Sequence, residues 1–128
     1  TVAGILSLPK NYISIGKNAQ AKFIEAHFSL GGQNSFTNIV TEVHTAENSV
    51  SELYKLQLTD NSTSIVDTTQ AFQEGKSTFT CTTITLSGNV VRNNLNLVLN
   101  GENCEGNMNG LYMVTGSTHV DNHTSVDH

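Results

Sequence analysis

The chain has few residues of several types, and each scarcity excludes a class of structure or function. Proline occurs only once, at Pro9, so extended segments can run almost uninterrupted. Arg92 is the only arginine and the net charge is -5, which leaves no basic stripe for nucleic acid or an anionic membrane surface. No apolar run approaches the roughly 18 residues of a membrane-spanning helix. The amino end, TVAGILSLPKNY, also lacks the charged start of a signal peptide.

Sequence motifs for catalysis, redox chemistry or structural zinc are also missing. Cys81 and Cys104 are the only two cysteines, and no CxxC spacing occurs. We interpret both as reduced thiols with a buried, structural role. There is no G-x-S-x-G nucleophile motif and no glycine-rich loop of the kind that binds phosphates. The sequence therefore gives no basis for an enzyme.

The residues that are abundant favour a single all-β domain over 1–128. Threonine, asparagine and serine are frequent, 37% of residues are hydrophobic and only 13% are charged, which is typical of β structure with many turns. Turn pairs such as Gly31-Gly32, Gly88-Asn89 and Asn100-Gly101 separate short segments with strand character. We predict strands at 11–16, 21–28, 38–45, 53–58, 77–86, 90–99 and 110–116.

The segment at 90–99 has the clearest alternation. Val91, Leu95 and Leu97 lie on one face of the predicted strand, and Arg92 and Asn94 lie on the other. One face should therefore be buried. Arg92 on the polar face could bind a carboxylate with two hydrogen bonds, so we interpret it as a pairing residue within the fold or at a subunit interface.

One segment has an alternative local interpretation. Ser49 and Glu52 have the spacing of a helix capping box, which favours a short helix. We nevertheless predict a strand there.

Regular short strands are compatible with two architectures, a parallel solenoid and an antiparallel sandwich. Rows of asparagine and threonine are easily accommodated as ladders between stacked coils, so we favour the solenoid. The sandwich stays open as the alternative, and with it an extracellular sugar-binding role.

Histidines and acidic residues suggest a possible metal site near the carboxyl end. His119, Asp121 and His123 alternate, so a strand would place them on one face, with imidazole and carboxylate ligands suited to zinc or iron(II). Asp127 and His128 could complete the set. The competing interpretation is structural, since such residues form hydrogen bonds at turns. Two further pairs that share a strand face, Glu25 with His27 and Glu42 with His44, are unremarkable in a chain of this length.

Several longer motifs resemble the SufB/SufD family of iron–sulfur cluster assembly proteins, and SufD members more than SufB members. They are VRNNL at 91–95, LNGE at 99–102, GLY at 110–112, HVDNHT at 119–124 and VDH at 126–128. Weaker similarity covers LPKNYISIGKNAQAKFIEAHFSL at 8–30 and FTNIVTEVHTAEN at 36–48. The resemblance therefore spans nearly the whole chain.

The resemblance implies a right-handed parallel β-helix with no catalytic residues of its own. It also implies a cytoplasmic complex with a SufB-like paralogue and a SufC-like ATPase, in which an iron–sulfur cluster is carried transiently and none is bound stably by this chain. Because the chain begins at Thr1, we expect a β-helix truncated at both ends. The segment that docks the ATPase would then lie outside it. Such a piece should also self-associate, for example as a homodimer.

Overall fold

The computed structural model describes residues 4–128, and over this range the chain forms ten β-strands and no helix. No helix of the described part is long and apolar enough to cross a membrane. In chain order the strands are β1 (Ile5–Ser7), β2 (Lys10–Ile15), β3 (Gln20–Phe28), β4 (Ser35–Thr45), β5 (Val50–Leu58), β6 (Thr63–Gln73), β7 (Thr78–Ser87), β8 (Val90–Leu99), β9 (Glu105–Tyr112) and β10 (His119–Asp127).

The strands stack into a β-solenoid with two sheets. Even-numbered strands and β1 form a six-stranded sheet, ordered β1-β4-β6-β8-β10, in which β2 also pairs with β4. The remaining strands form a four-stranded sheet, ordered β3-β5-β7-β9. Every strand pair is parallel, with Ser35 opposite Thr63 and Val50 opposite Thr78. This confirms the predicted solenoid and overturns the antiparallel sandwich, together with the sugar-binding role that depended on it.

A repeated corner carries the chain from the six-stranded sheet to the four-stranded one. In four successive coils one non-glycine residue takes the left-handed conformation with φ of 57–59°, at Asn18, Asn48, Lys76 and Asn103. Asparagine tolerates this conformation better than most residues. The corners stack directly, because the Asn48 amide group donates to the Asn18 side-chain oxygen at 2.7 Å. Backbone bonds such as Lys76 N–H to the Glu102 carbonyl, 2.9 Å, extend the same ladder.

The space between the two sheets, which we call the lumen, holds the core. One apolar cluster comprises Val43, Leu53, Ala71, Phe79, Cys81 and Leu97, and a smaller one comprises Ile39, Ile65 and Val91. Burial of such side chains contributes about 25 cal/mol per Å² of apolar surface. Much of the remaining lumen is polar, since Lys55, Gln57, Asp67 and Asn93 are also buried. This polar interior is the part of the fold that differs most from a simple apolar core.

Most of the predicted strands are confirmed, including β8 with its leucine face inward. The segment after Ser49 is strand β5, as predicted against the capping-box alternative. The prediction at 110–116 was displaced, because β9 spans Glu105–Tyr112. Three strands were missed. β1 is very short, β6 has Asp67 and Thr69 on its buried face, and β10 was interpreted only as a motif.

Candidate functional site

A buried ion pair crosses the lumen. Lys55 on β5 and Asp67 on β6 come from opposite sheets, and the Lys55 ammonium donates to Asp67 Oδ1 at 2.5 Å. Both side chains are only 2% exposed. Parallel strands place alternate side chains inward, and in β5 this selects Leu53, Lys55 and Gln57. A charge removed from water in this way is costly unless it is paired, so the two residues depend on each other.

Two further polar side chains, Glu25 and His27 on β3, extend the ion pair into a larger polar cluster. On β3 these residues stand opposite Lys55 and Gln57, and both point into the lumen. Glu25 Oε1 lies 2.6 Å from His27 Nε2 and 3.7 Å from the Lys55 ammonium. Burial alone would raise the pKa of Glu25, but the His27 hydrogen bond, the Lys55 charge and the Thr41 hydroxyl together hold it below its usual range. Glu25 is therefore a carboxylate at neutral pH.

A chain of amide side chains extends the polar interior in the other direction. The Gln57 amide group donates to Asn93 Oδ1 at 2.7 Å, and the Asn93 amide group donates to Asn122 Oδ1 at 2.9 Å. Gln57 also accepts a hydrogen bond from the Thr85 hydroxyl at 2.6 Å. Asn93, Gln57 and their neighbours thus connect β10 to the ion pair. The lumen therefore contains one continuous polar column, which runs from Glu25 through Lys55, Asp67 and Gln57 to Asn122.

The residues predicted as a metal site lie on the outside of the solenoid. β10 runs without a turn, so His119, Asp121 and His123 do share a face, and this is the outer one, since Val120 packs against the core. Asp121 is already bonded to Arg92. Among residues 4–128, the structure brings three metal-ligating groups together at Glu25, His27 and Asp67 instead. Metal binding at His119, Asp121 and His123 stays a prediction.

Arg92 lies on the outer face of β8, opposite the leucine row, as its position in the alternation predicted. Its guanidinium donates to Asp121 on β10, and its Nε donates to Asn94 Oδ1 at 3.0 Å. Both charged side chains are 45% exposed, so the pair contributes about 0–1 kcal/mol. Its proposed role at a subunit interface stays a prediction.

The second histidine pair forms a separate aromatic cluster on the outer face of the six-stranded sheet. His44 Nε2 lies 2.8 Å from Glu42 Oε1. The His44 ring stacks on Phe72 with 4.8 Å between ring centroids, and Tyr12 stands on its other side at 5.4 Å. These contacts account for His44 as a packing residue.

A comparison with known families identifies the domain. The family model described as "SUF system FeS cluster assembly, SufBD core domain" matches residues 2–128. The chain belongs to the SufBD core domain family. Membership indicates involvement in iron–sulfur cluster assembly. Searches of curated proteins and of solved structures found no match.

The two cysteines of this SufBD core domain lie in different environments, although both are free thiols. Cys81 is 1% exposed and packs in the main apolar cluster. Burial raises the pKa of the Cys81 thiol to about 11, and the nearby Lys55 charge lowers it only in part. Cys104 is half-buried at a corner, with its sulfur 3.1 Å from the Gly101 carbonyl oxygen, so the expectation of two buried thiols was wrong for this residue.

We predict that one thiol per chain reacts with 5,5′-dithiobis(2-nitrobenzoate) at pH 8 in the native state, and two after unfolding. Only the thiolate attacks the reagent, and Cys81 is both protonated and covered. The variant Cys104→Ser should abolish the fast reaction. Rapid modification of Cys81 in that variant would contradict the buried placement.

Sequence reasoning missed the polar column in this SufBD core domain. Two signals were available: the shared face of Glu25 and His27, which the sequence analysis set aside as unremarkable, and Asn93, an amide on the face of β8 that otherwise carries Val91 and Leu97. Lys55 and Asp67 gave none, because nothing in their spacing shows that β5 and β6 face each other across a lumen.

Proposed function

We propose that the chain is a non-catalytic scaffold unit of a cytoplasmic SUF assembly complex. Family membership supports the assembly role. The stacked coils support the scaffold role, because a solenoid provides a rigid body with extended surfaces for partners.

The partner in this proposal is a SufB-like paralogue, which binds at an end of the solenoid. Within the described part of the chain, β3 and β9 are the outer strands of the four-stranded sheet, and each has one edge that no other strand pairs with. Both edge strands carry exposed apolar side chains: Ile24 on β3 is 70% exposed, and Tyr112 at the end of β9 is 62% exposed. An edge with apolar side chains is suited to pairing or covering by another chain. The SufC-like ATPase would bind through a segment outside this chain.

The proposal predicts that lysine at an end strand weakens association. The variants Ile24→Lys and Tyr112→Lys each place a charge at one solenoid end, and Tyr54→Lys places the same charge on the outer face of β5 as a control. We expect at least one end variant to lower affinity for the SufB-like paralogue by roughly tenfold or more, because a buried unpaired charge opposes binding. Sedimentation and co-purification measure this, and they also report homodimers of the chain alone. Wild-type affinity in both end variants would reject the proposed surfaces.

A further inference from the structure

We propose that Glu25, His27 and Asp67 bind a divalent first-row transition-metal ion in the lumen, at a site where the Lys55 ammonium is the alternative cation. The inference concerns the chain's own interior and does not depend on the scaffold role.

The donor set fits such an ion. One ligand atom from each of the three residues lies within 4.8 Å of the others. Glu25 and His27 are adjacent inward positions of β3, and Asp67 reaches them from the opposite sheet. One imidazole nitrogen with two carboxylate oxygens suits zinc or iron(II), which accept both kinds of ligand.

The charge of the cluster also favours a cation. Glu25 and Asp67 bring two negative charges into the lumen, and Lys55 supplies one positive charge. The other side chains that contact the two carboxylates, apart from His27, are the neutral Asn11, Thr41 and Gln57. Apart from His27, the cluster therefore carries one more negative than positive charge, where water is largely excluded. Such a charge is stabilised by a further cation.

An open cavity reaches one member of the cluster, His27. A cavity of about 480 Å³ at the first coil has His27 in its wall, together with Asp60 and Ile65. Thr59 also lines it and is 3% exposed, and its hydroxyl oxygen has no hydrogen-bond partner among the described residues. This unpartnered hydroxyl, in the wall of the same cavity as His27, is a polar contact available to a hydrated ion. A metal site needs such an entry path.

Lys55 provides a specific test of the proposal, because its ammonium and a metal ion would compete for the same carboxylate oxygens of Glu25 and Asp67. Its nitrogen lies 2.5 Å from Asp67 and 3.7 Å from Glu25. Replacing Lys55 by the uncharged methionine should therefore strengthen metal binding. A structural histidine or a surface site would not respond to Lys55 in this way.

The test is a zinc titration of the untagged chain by calorimetry, combined with thermal unfolding with and without zinc. Wild type should bind one zinc ion per chain, and Lys55→Met should bind it at least roughly tenfold more tightly, because a nearby positive charge is removed. Zinc should also raise the unfolding midpoint of Lys55→Met more than that of wild type. The variants His27→Asn and Glu25→Gln should each weaken binding at least roughly tenfold. The double variant His119→Ala/His123→Ala is the control and should bind as wild type does.

Three results would overturn the inference. They are zinc binding that survives His27→Asn, zinc binding lost only in the His119→Ala/His123→Ala control, and no gain in affinity for Lys55→Met. If Lys55→Met does not fold, wild type compared with His27→Asn decides the question: equal affinity rejects the site, and a roughly tenfold loss supports it.

Discussion

Lys55→Met should lower the free energy of unfolding by about 3–5 kcal/mol in metal-free buffer. The substitution keeps much of the side-chain volume but removes the ammonium that pairs with Asp67, which is 2% exposed. Among residues 4–128, the Asp67 carboxylate then keeps only the long 3.4 Å hydrogen bond from Gln57, and its burial is no longer offset by the paired ammonium. Urea unfolding followed by circular dichroism measures the change.

Two controls separate the buried pair from a generic loss of lysine. Lys17→Met removes the 3.2 Å pair with Glu47, where the side chains are 66% and 51% exposed, and should cost about 0–1 kcal/mol. The double variant Lys55→Met/Asp67→Leu should recover most of the lost stability, because it leaves neither charge of the pair buried alone. If Lys55→Met and Lys17→Met cost the same, the buried pair contributes no more than a surface one.

Phe79→Ala should lower the free energy of unfolding by about 3–5 kcal/mol. Phe79 is fully buried on β7 and packs with Leu53, Cys81 and Leu97, residues drawn from three strands on both sheets. Its removal leaves a cavity that the stacked coils cannot easily close, because each strand is held by neighbours on both sides. Urea unfolding again measures the effect.

The matched control is Phe28→Ala, the same substitution at a residue that is 64% exposed. We expect a cost below about 1 kcal/mol, since little apolar surface is returned to water. Comparable losses in the two variants would contradict the placement of the core.

The fold was largely accessible from sequence because strand and turn signals are local. β8 was predicted at its observed bounds, since Val91 and Leu97 alternate with Arg92 and Asn94. β6 was missed because its inward residues include Asp67 and Thr69, so its buried face carries no continuous apolar signal. The choice of a solenoid rested on asparagine and threonine ladders and on the family resemblance, and the parallel pairing confirms it.

Of the interior site, only the shared face of Glu25 and His27 was accessible from the sequence, and β5 shows why the rest was not. One face of β5 carries Val50, Glu52, Tyr54, Leu56 and Leu58. The other face carries Ser51, Leu53, Lys55 and Gln57. The first set is the more apolar, yet the second faces the lumen, with Lys55 2% and Gln57 0% exposed. A prediction from local hydrophobicity would therefore have placed the wrong face of β5 in the core. The true orientation depends on Asp67 and Asn93, which lie on other strands and satisfy these polar groups.

The stacked corners have a consequence for how such a chain can grow. Ser35 pairs with Thr63, 28 residues later, and Asn48 stands directly over Asn18 at the corner. Since the corners themselves are bonded, gene duplication or deletion of one complete coil would leave every remaining ladder aligned. A change of a few residues is instead accommodated in the loops at the other end of each coil, which already differ in length at 29–34, 59–62 and 88–89. One complete coil is therefore the unit that duplication or deletion can add or remove in this architecture.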